Sequence, residues 1–271
     1  MPDFTNKVVI ITGASTGIGR ATAINFYRAG ARLVLAARST ADLEQLAAEL
    51  GGPEVALPFT LDVTDPDQCQ ALIDRTVAHF GGIDVLVNNA GMIVSGPFEH
   101  LQPGDIERQF AVNYFGVVYC TRAALPHLKR SRGVVLNVSS VGGFLGTPTS
   151  GAYSASKAAL NNFGQSLAAE LRQYGVAVVT VCPYLVKGAQ LSNKGIIRQG
   201  SRHQKTAGGE QASKARKAPG RQTVEDVADA ILDAAARRRR LAVLSPYGRL
   251  IWRLQRWAPW LVDRLLPLAM R

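Results

Sequence analysis

Tyr153 and Lys157 stand four residues apart in a stretch of helical periodicity, so their side chains share one face. A phenol and an ammonium held side by side are groups of the kind that exchange protons. Thirteen residues before the tyrosine, Ser139 and Ser140 close an apolar run, Val134 to Val138, that reads as a strand. Near the N-terminus, Thr12-Gly13-Ala14-Ser15-Thr16-Gly17-Ile18-Gly19 follows another such run and opens a helix-like stretch. Glycines between strand and helix let the backbone approach a pyrophosphate, and the helix N-terminus adds amide donors and a partial positive charge. An ordinary tight turn is the plain alternative.

The second apolar run ends at Ala36-Ala37-Arg38. A site for NAD usually carries an acid here, about 20 residues past the glycine turn, on the ribose 2′-hydroxyl. Two alanines and an arginine suit a 2′-phosphate instead, which Arg38 can pair with through charge-assisted bonds. These residues favour NADP(H) over NAD(H); a solvated loop charge is the other reading of Arg38.

The elements that must position these groups alternate. Strand-like runs cover Val8 to Thr12, Arg32 to Ala36, Val55 to Leu61, Asp84 to Val87, Gly133 to Val138, Val176 to Cys182 and Leu241 to Leu244. Helix-like stretches cover Gly17 to Ala29, Ala41 to Leu50, Pro66 to Phe80, Asp105 to Lys129 and Tyr153 to Tyr174. This predicts an α/β chain with a doubly wound parallel sheet of Rossmann type. In such a sheet ligands bind outside the carboxyl ends of the strands, where Ser140, Tyr153 and the glycine turn converge. Gly188 to Gly220 is rich in Gly, Ser, Gln, Lys and Arg and reads as a long mobile loop, within a connection spanning 188–222. Thr223 then caps a helix that runs to Arg237–Arg240, four cations at the negative end of the helix dipole. Residues 1–245 form one domain, and 246–271 a C-terminal extension.

Bulk properties narrow the field. The chain has 271 residues, 47% of them hydrophobic, which suits a globular core rather than disorder. It has no apolar run of about 18 residues, as a spanning helix needs, and no secretory signal. Cys69, Cys120 and Cys182 are far apart in the sequence and read as reduced packing residues of a cytoplasmic protein. The four histidines lack ligand spacing, so no metal is expected. Residues 1–186 carry 13 Lys and Arg against 14 Asp and Glu, whereas 187–271 carry 18 against 6. The net charge of +11 thus belongs to the last third, which points to an anionic partner there, a membrane surface or nucleic acid.

TGASTGIG at 12–19, Asp62-Val63, NNAG at 88–91, Asn113, Ser140 and YSASK at 153–157 together resemble the short-chain dehydrogenase/reductase family, in order and spacing, over residues 5 to about 245. The resemblance implies hydride transfer between NADP(H) and a carbonyl or alcohol carbon of a small molecule. Tyr153 would move the proton, Lys157 would lower its pKa and hold the nicotinamide ribose, and Ser140 would bond the substrate oxygen. Asn113 would hold a water leading to Lys157. Asp62 and Val63 would contact the adenine, and Asn89, Ala90 and Gly91 would line the adenosine ribose. Gly13, Ser15, Thr16, Gly17, Ile18 and Gly19 would cradle the phosphates. Singly, each has a structural alternative: Asn89 as a tie between strands, Asn113 as a polar residue bending a helix, Ser139 or Ser140 as a turn residue. A homo-oligomer, dimer or tetramer, is implied through the long helices. The alternative class is a non-catalytic NADP(H)-binding or membrane-associated protein on the same fold.

The pattern departs after the sixth strand. Where the family has Pro-Gly and a later Thr, this chain has Pro183-Tyr184-Leu185-Val186-Lys187-Gly188. Val186 can still offer its backbone to the nicotinamide carboxamide beside Pro183; Tyr184 either narrows the substrate pocket or packs as a lid. Met92 to Ser95, Val141 to Thr149 and Tyr184 would line an apolar pocket. Beyond the domain, Leu250, Leu254, Trp257, Leu261, Leu265 and Leu268 recur at three- and four-residue steps, with Arg249, Arg253, Arg256, Asp263 and Arg264 on other faces. Pro259 divides this amphipathic segment into two short helices. With three tryptophans it suits an anionic membrane surface, making the protein peripheral there, or a tail packed over the pocket or a partner subunit. Nucleic acid is the weaker fit, because no recognition fold accompanies the arginines.

Overall fold

Apolar residues on both faces of a strand require a helical layer on each side. All five residues of β1 (Val8–Thr12) are buried, as are those of β4 (Val85–Asn88) and β6 (Val134–Val138). The computed structural model, which describes residues 2–189, 195–201, 220–262 and 264, resolves that requirement as a seven-stranded parallel sheet. Its other strands are β2 (Arg32–Ala37), β3 (Ala56–Thr60), β7 (Ala177–Cys182) and β9 (Leu241–Val243). The order is β3-β2-β1-β4-β6-β7-β9, so the winding reverses between β1 and β4. Alternate residues feed two cores. Val9 and Ile11 pack with Phe26, Leu43 and Ile231, from α1 (Gly17–Arg28), α2 (Thr40–Glu49) and α7 (Val224–Ala236). Ile10 packs with Leu72, Leu128 and Leu171 from α3 (Pro66–Phe80), α5 (Gly116–Ser131) and α6 (Gly151–Leu171).

Three features differ from the sequence reading. The stretch from Asp105 to Lys129 is not one helix: α4 (Pro103–Phe110) passes through a π-turn, Ala111–Phe115, into α5. The wide turn falls where the Asn113 carboxamide is tied to the Met92 backbone, a common context for π-bulges. A two-stranded parallel pairing, β5 (Val94–Ser95) with β8 (Ile196–Ile197), is too short for any periodicity to announce. Cys69 and Cys120, 51 residues apart in sequence, meet in the core with sulfurs 3.5 Å apart.

For the extension the sequence leaves open a stripe facing a membrane surface or one packed over the pocket or a partner. Helix α8 (Pro246–Trp257) stops at Ala258, just before Pro259, as the ring of a proline dictates. Among the described residues it buries the leucine stripe only in part. Gly248 is buried and Ile251, Trp252, Leu254 and Gln255 are half-buried, while Leu250 is 51% and Trp257 83% exposed. The fixed position of the helix start decides this, because Gly248 seats against Val141 and Tyr184. Most of the 188–222 connection, together with Asp263, Leu265 and Leu268, lies outside the described residues.

Gly133 ends the α5–β6 connection where a Cβ would lie 2.3 Å from the Asp84 carbonyl oxygen. Gly133→Ala is therefore expected to cost about 2 kcal/mol of unfolding free energy in urea. Gly82→Ala, with nothing within 4 Å of the added carbon, is expected to leave the midpoint unchanged.

Candidate active site

Gly13 and Gly17 have φ of +68° and +56°, a region that disfavours side chains. At Gly19 a Cβ would stand 2.1 Å from the Gly13 carbonyl oxygen, so only glycine lets α1 start this close to β1. The turn is bound to the neighbouring strand end. The Thr12 hydroxyl donates to the Val87 carbonyl at 3.3 Å and accepts the amides of Asn89 and Ala90, each at 3.0 Å. The Asn89 side chain donates to the carbonyls of Thr12 (2.9 Å) and Gly13 (3.2 Å). Asn89 is thus a tie between the two strands, whatever else it touches. This cradle, at the N-terminus of α1 and beside the winding reversal, fits a dinucleotide phosphate.

Around it stand the residues that the sequence reading expects at the adenosine end of a dinucleotide. Arg38 is exposed just past β2. Burial raises the Asp62 carboxyl, but the Thr64 amide and hydroxyl, then Arg108 and Arg38, hold it below its ordinary value overall. Val63 is buried and packs where a Cβ on Gly116 would come within 2.8 Å.

Of the two serines after β6, Ser139 is buried and donates to the Lys157 carbonyl at 3.3 Å. Ser140 keeps part of its surface and accepts the Gly142 amide at 3.0 Å. Ser140 and Tyr153 meet across Gly142, whose Cβ would lie 3.3 Å from the hydroxyl of one and 3.4 Å from the ring of the other. Burial raises the Tyr153 phenol above its usual 10.0, and the Ser140 hydroxyl pulls the other way. Lys157 is 5% exposed and donates to the Val138 carbonyl at 2.9 Å. Burial lowers its ammonium to about 8. Burial pushes the neighbouring Cys182 thiol up to about 12, so it stands neutral beside Lys157 near pH 7.

Asn113 faces the same space: a Cβ on Gly91 would lie 3.5 Å from its Oδ1 and 3.9 Å from Lys157 Nζ. Its carboxamide is engaged by the Met92 amide (2.9 Å), the Met92 carbonyl (3.1 Å) and Ser156 (3.2 Å). One turn earlier lies a residue the sequence reading missed. Gln109, fully buried, accepts the Val94 amide at 2.5 Å and donates to the Met92 carbonyl at 2.9 Å. One turn earlier again, Asp105 receives two bonds from Arg198, at 2.8 and 2.6 Å, which fasten the β8 segment. Asp105, Gln109 and Asn113 recur every four residues, and that inward polar stripe was the available signal. β5 is also tied to the start of α6, since the Thr149 carbonyl accepts from Gly96 N–H (2.9 Å) and Ser95 hydroxyl (2.7 Å). Thr149 has φ +63°, unusual for a β-branched residue, four positions before Tyr153.

Pro183 is buried. Val186 bridges Gln222 through the Leu185 carbonyl and the Lys187 amide, each at 2.8 Å, so its own amide and carbonyl point elsewhere. Tyr184 lies beside the start of α8, and Trp252 of that helix stands 6.4 Å from Phe144, ring to ring. The first turns of the extension therefore border the Val141–Phe144 side of the site.

A family profile described as short chain dehydrogenase matches residues 7–196. The chain is 46% identical over 171 residues to 11-beta-hydroxysteroid dehydrogenase 1A of Arabidopsis thaliana, a match covering 61% of this chain and 48% of that protein. The chain spans about half the length of that plant relative, and 57% of an 11-beta-hydroxysteroid dehydrogenase A of Arachis hypogaea. It is 35% identical over 270 residues to dehydrogenase/reductase SDR family member 7B of Bos taurus, covering 96% of this chain and 80% of the relative. Among solved structures, a short chain dehydrogenase/reductase from Burkholderia phymatum in complex with NAD superposes with TM-score 0.85 at 28% identity, over 96% of both chains. An alcohol dehydrogenase from Thermococcus sibiricus complexed with 5-hydroxy-NADP gives 0.71 at 28% identity, over 84% of this chain and 89% of that one.

The buried ammonium leaves a signature in stability. Below about pH 8 Lys157 is charged in both folded and unfolded chains, and folding bears the full cost of burying it. Above its ordinary 10.5 it is neutral in both, and the cost is gone. Lys157→Met is expected to stabilise the protein at pH 7 by about 2 kcal/mol, of order 3 from the relieved charge less about 1 for the lost bond. The wild type should recover this deficit as pH rises from about 8 to 10.5, read from urea midpoints of both proteins.

Proposed function

This chain belongs to the short-chain dehydrogenase/reductase family, and on that premise we propose that it is an NADP(H)-dependent oxidoreductase acting on a carbonyl or secondary alcohol of an apolar small molecule. The observation that carries the reading is the meeting of Ser140 and Tyr153 across Gly142, with Lys157 buried behind them, at the strand ends that also bear the glycine cradle. When bound, the cofactor supplies the hydride or takes it up. The protein's part is to place and move a proton.

Ser140 donates a hydrogen bond to the substrate oxygen and stabilises the charge that develops there. Tyr153 passes its proton to that oxygen in reduction and accepts it in oxidation. With burial raising its pKa, the phenol is a protonated acid at neutral pH, suited to reduction. Lys157 binds the nicotinamide ribose hydroxyls and, as a cation, favours the phenolate that Tyr153 leaves behind. Asn113 and Gln109 fix Met92 to Val94, which with Val141 and Phe144 line an apolar substrate wall. Gly13, Ser15, Thr16, Gly17, Ile18 and Gly19 hold the phosphates, Asp62 and Val63 the adenine, and Asn89 to Gly91 the adjoining ribose. The amide of Val186, beside Pro183, serves the carboxamide. Arg38, with no acid between Ala36 and Thr40, receives the 2′-phosphate. The stacked Phe115 and Tyr119, with Phe115 45% exposed, mark α5 as the face where a homo-oligomer would close.

Tyr153→Phe is expected to lower kcat with NADPH and an aromatic aldehyde by about 10²- to 10⁴-fold, with NADPH Kd within about twofold of wild type. Loss of both would mean the ring shapes the cofactor site instead. Arg38→Asp is expected to weaken NADPH about tenfold or more in a fluorescence titration while NADH binding holds or improves. Equal effects on the two nucleotides would overturn the choice of NADP(H).

A further inference from the structure

We propose that the outward face of α8 docks on an anionic lipid bilayer and sets the mouth of the site against it. Tyr247, Leu250 and Trp257 fall at helical steps on one face, 44%, 51% and 83% exposed, with Leu254 half-buried between them, and Trp260 beyond the helix end is 67% exposed. Arg249, Arg253 and Arg256 are exposed alongside them. No acid occurs in the sequence between Asp233 and Asp263 to offset their charge, and among the described residues none of the three forms an ion pair. The opposite face is already used, by Gly248 against Val141 and by Trp252 against Phe144, so the helix is seated beside the site with its aromatic and basic side turned out.

The chemistry of that face selects among occupants. Tryptophan and leucine bordered by arginines is the pattern of a helix lying in a bilayer interface, where rings sit at the headgroups and cations meet anionic lipid. Across a two-fold axis, three like charges would face their own copies, which disfavours a second chain. Nucleic acid would use the arginines but leave the apolar stripe in water. The segment does not cross the bilayer: among the described residues no helix is long and apolar enough to do so. The seating also bears on the proposed reaction, because an apolar substrate dissolved in lipid would reach the Val141–Phe144 wall without passing through water.

The test is co-sedimentation of the full chain with vesicles of phosphatidylcholine alone and of phosphatidylcholine with phosphatidylserine. Binding is expected only to the anionic vesicles and should fall in high salt. The triple change Arg249→Glu, Arg253→Glu, Arg256→Glu is expected to reduce it about tenfold or more, and so is Leu250→Ser with Trp257→Ser. NADPH titration of each variant shows whether its fold is intact, and the wild-type comparison of the two lipids stands even if a variant does not fold. Absence of binding to anionic vesicles overturns the proposal, as does binding that both sets of changes leave intact. So does a dimer that Leu250→Ser with Trp257→Ser converts to monomer without altering sedimentation, or retention on RNA with indifference to lipid. Each of these failures leaves NADPH binding and aldehyde turnover untouched, so it is distinct from failure of the proposed reaction.

Discussion

The join between β1 and β4 is the constraint on which the remaining architecture depends. Parallel strands wind one way from β1 through β2 to β3 and the other way from β4 through β6, β7 and β9, so the two central carboxyl ends diverge into separate crossovers. A gap must open there. Thr12 and Asn89 keep it from widening, with five hydrogen bonds that bind one strand end to the other. Most of these bonds involve backbone groups that the end of the sheet ladder would otherwise leave without partners. The glycine turn can then lie flat against Ala90, since a Cβ on Gly13 would approach Ala90 Cα to 2.9 Å. The glycine cradle is a consequence of how the sheet is wound and stitched.

A second set of constraints fixes the substrate side. Between β4 and β5 the backbone of 89–93 is irregular, and β5 is paired with β8 alone, so buried polar groups of Met92 and Val94 need partners from outside a ladder. The side chains of Gln109 and Asn113 supply what the ladder does not. Asp105 extends the same stripe to Arg198 and so joins α4 to β8, itself paired with β5. Asp105 is almost fully buried, and the Arg198 pairing holds its carboxyl below the ordinary range. A buried charge of this kind is strongly destabilising when its partner is removed, so the arrangement favours one geometry over many. Lys157 carries a similar cost: its ammonium is buried against the Val138 carbonyl, and burial lowers it to about 8.

The extension lies at the rim of the candidate site. Its first turns cover Val141 and approach Phe144, and its remaining surface is apolar and basic.

Most of the fold was legible in the sequence because it rests on local patterns. β-branched runs, 3.6-residue periodicities and caps such as Thr223 with Asp226 are encoded within a few residues, and all seven strands of the main sheet begin within one residue of their sequence-read start. The glycine spacing likewise declares a turn whose backbone no other residue tolerates. What sequence left open were contacts between distant residues. Ser139 and Ser140 are equivalent as letters; only the crossing of β6 by α6 turns one toward Lys157 and the other toward Tyr153. The stripe of the extension is as regular as any buried face, yet the seat of Gly248 on Val141 leaves Leu250 and Trp257 exposed and Leu254 half-buried. Gln109, Arg198 and the Cys69–Cys120 contact gain their meaning from partners 15 to 93 positions away. Periodicity specifies which side of an element is apolar, but which neighbour an element meets, and at what angle, is set by how the layers pack around the sheet.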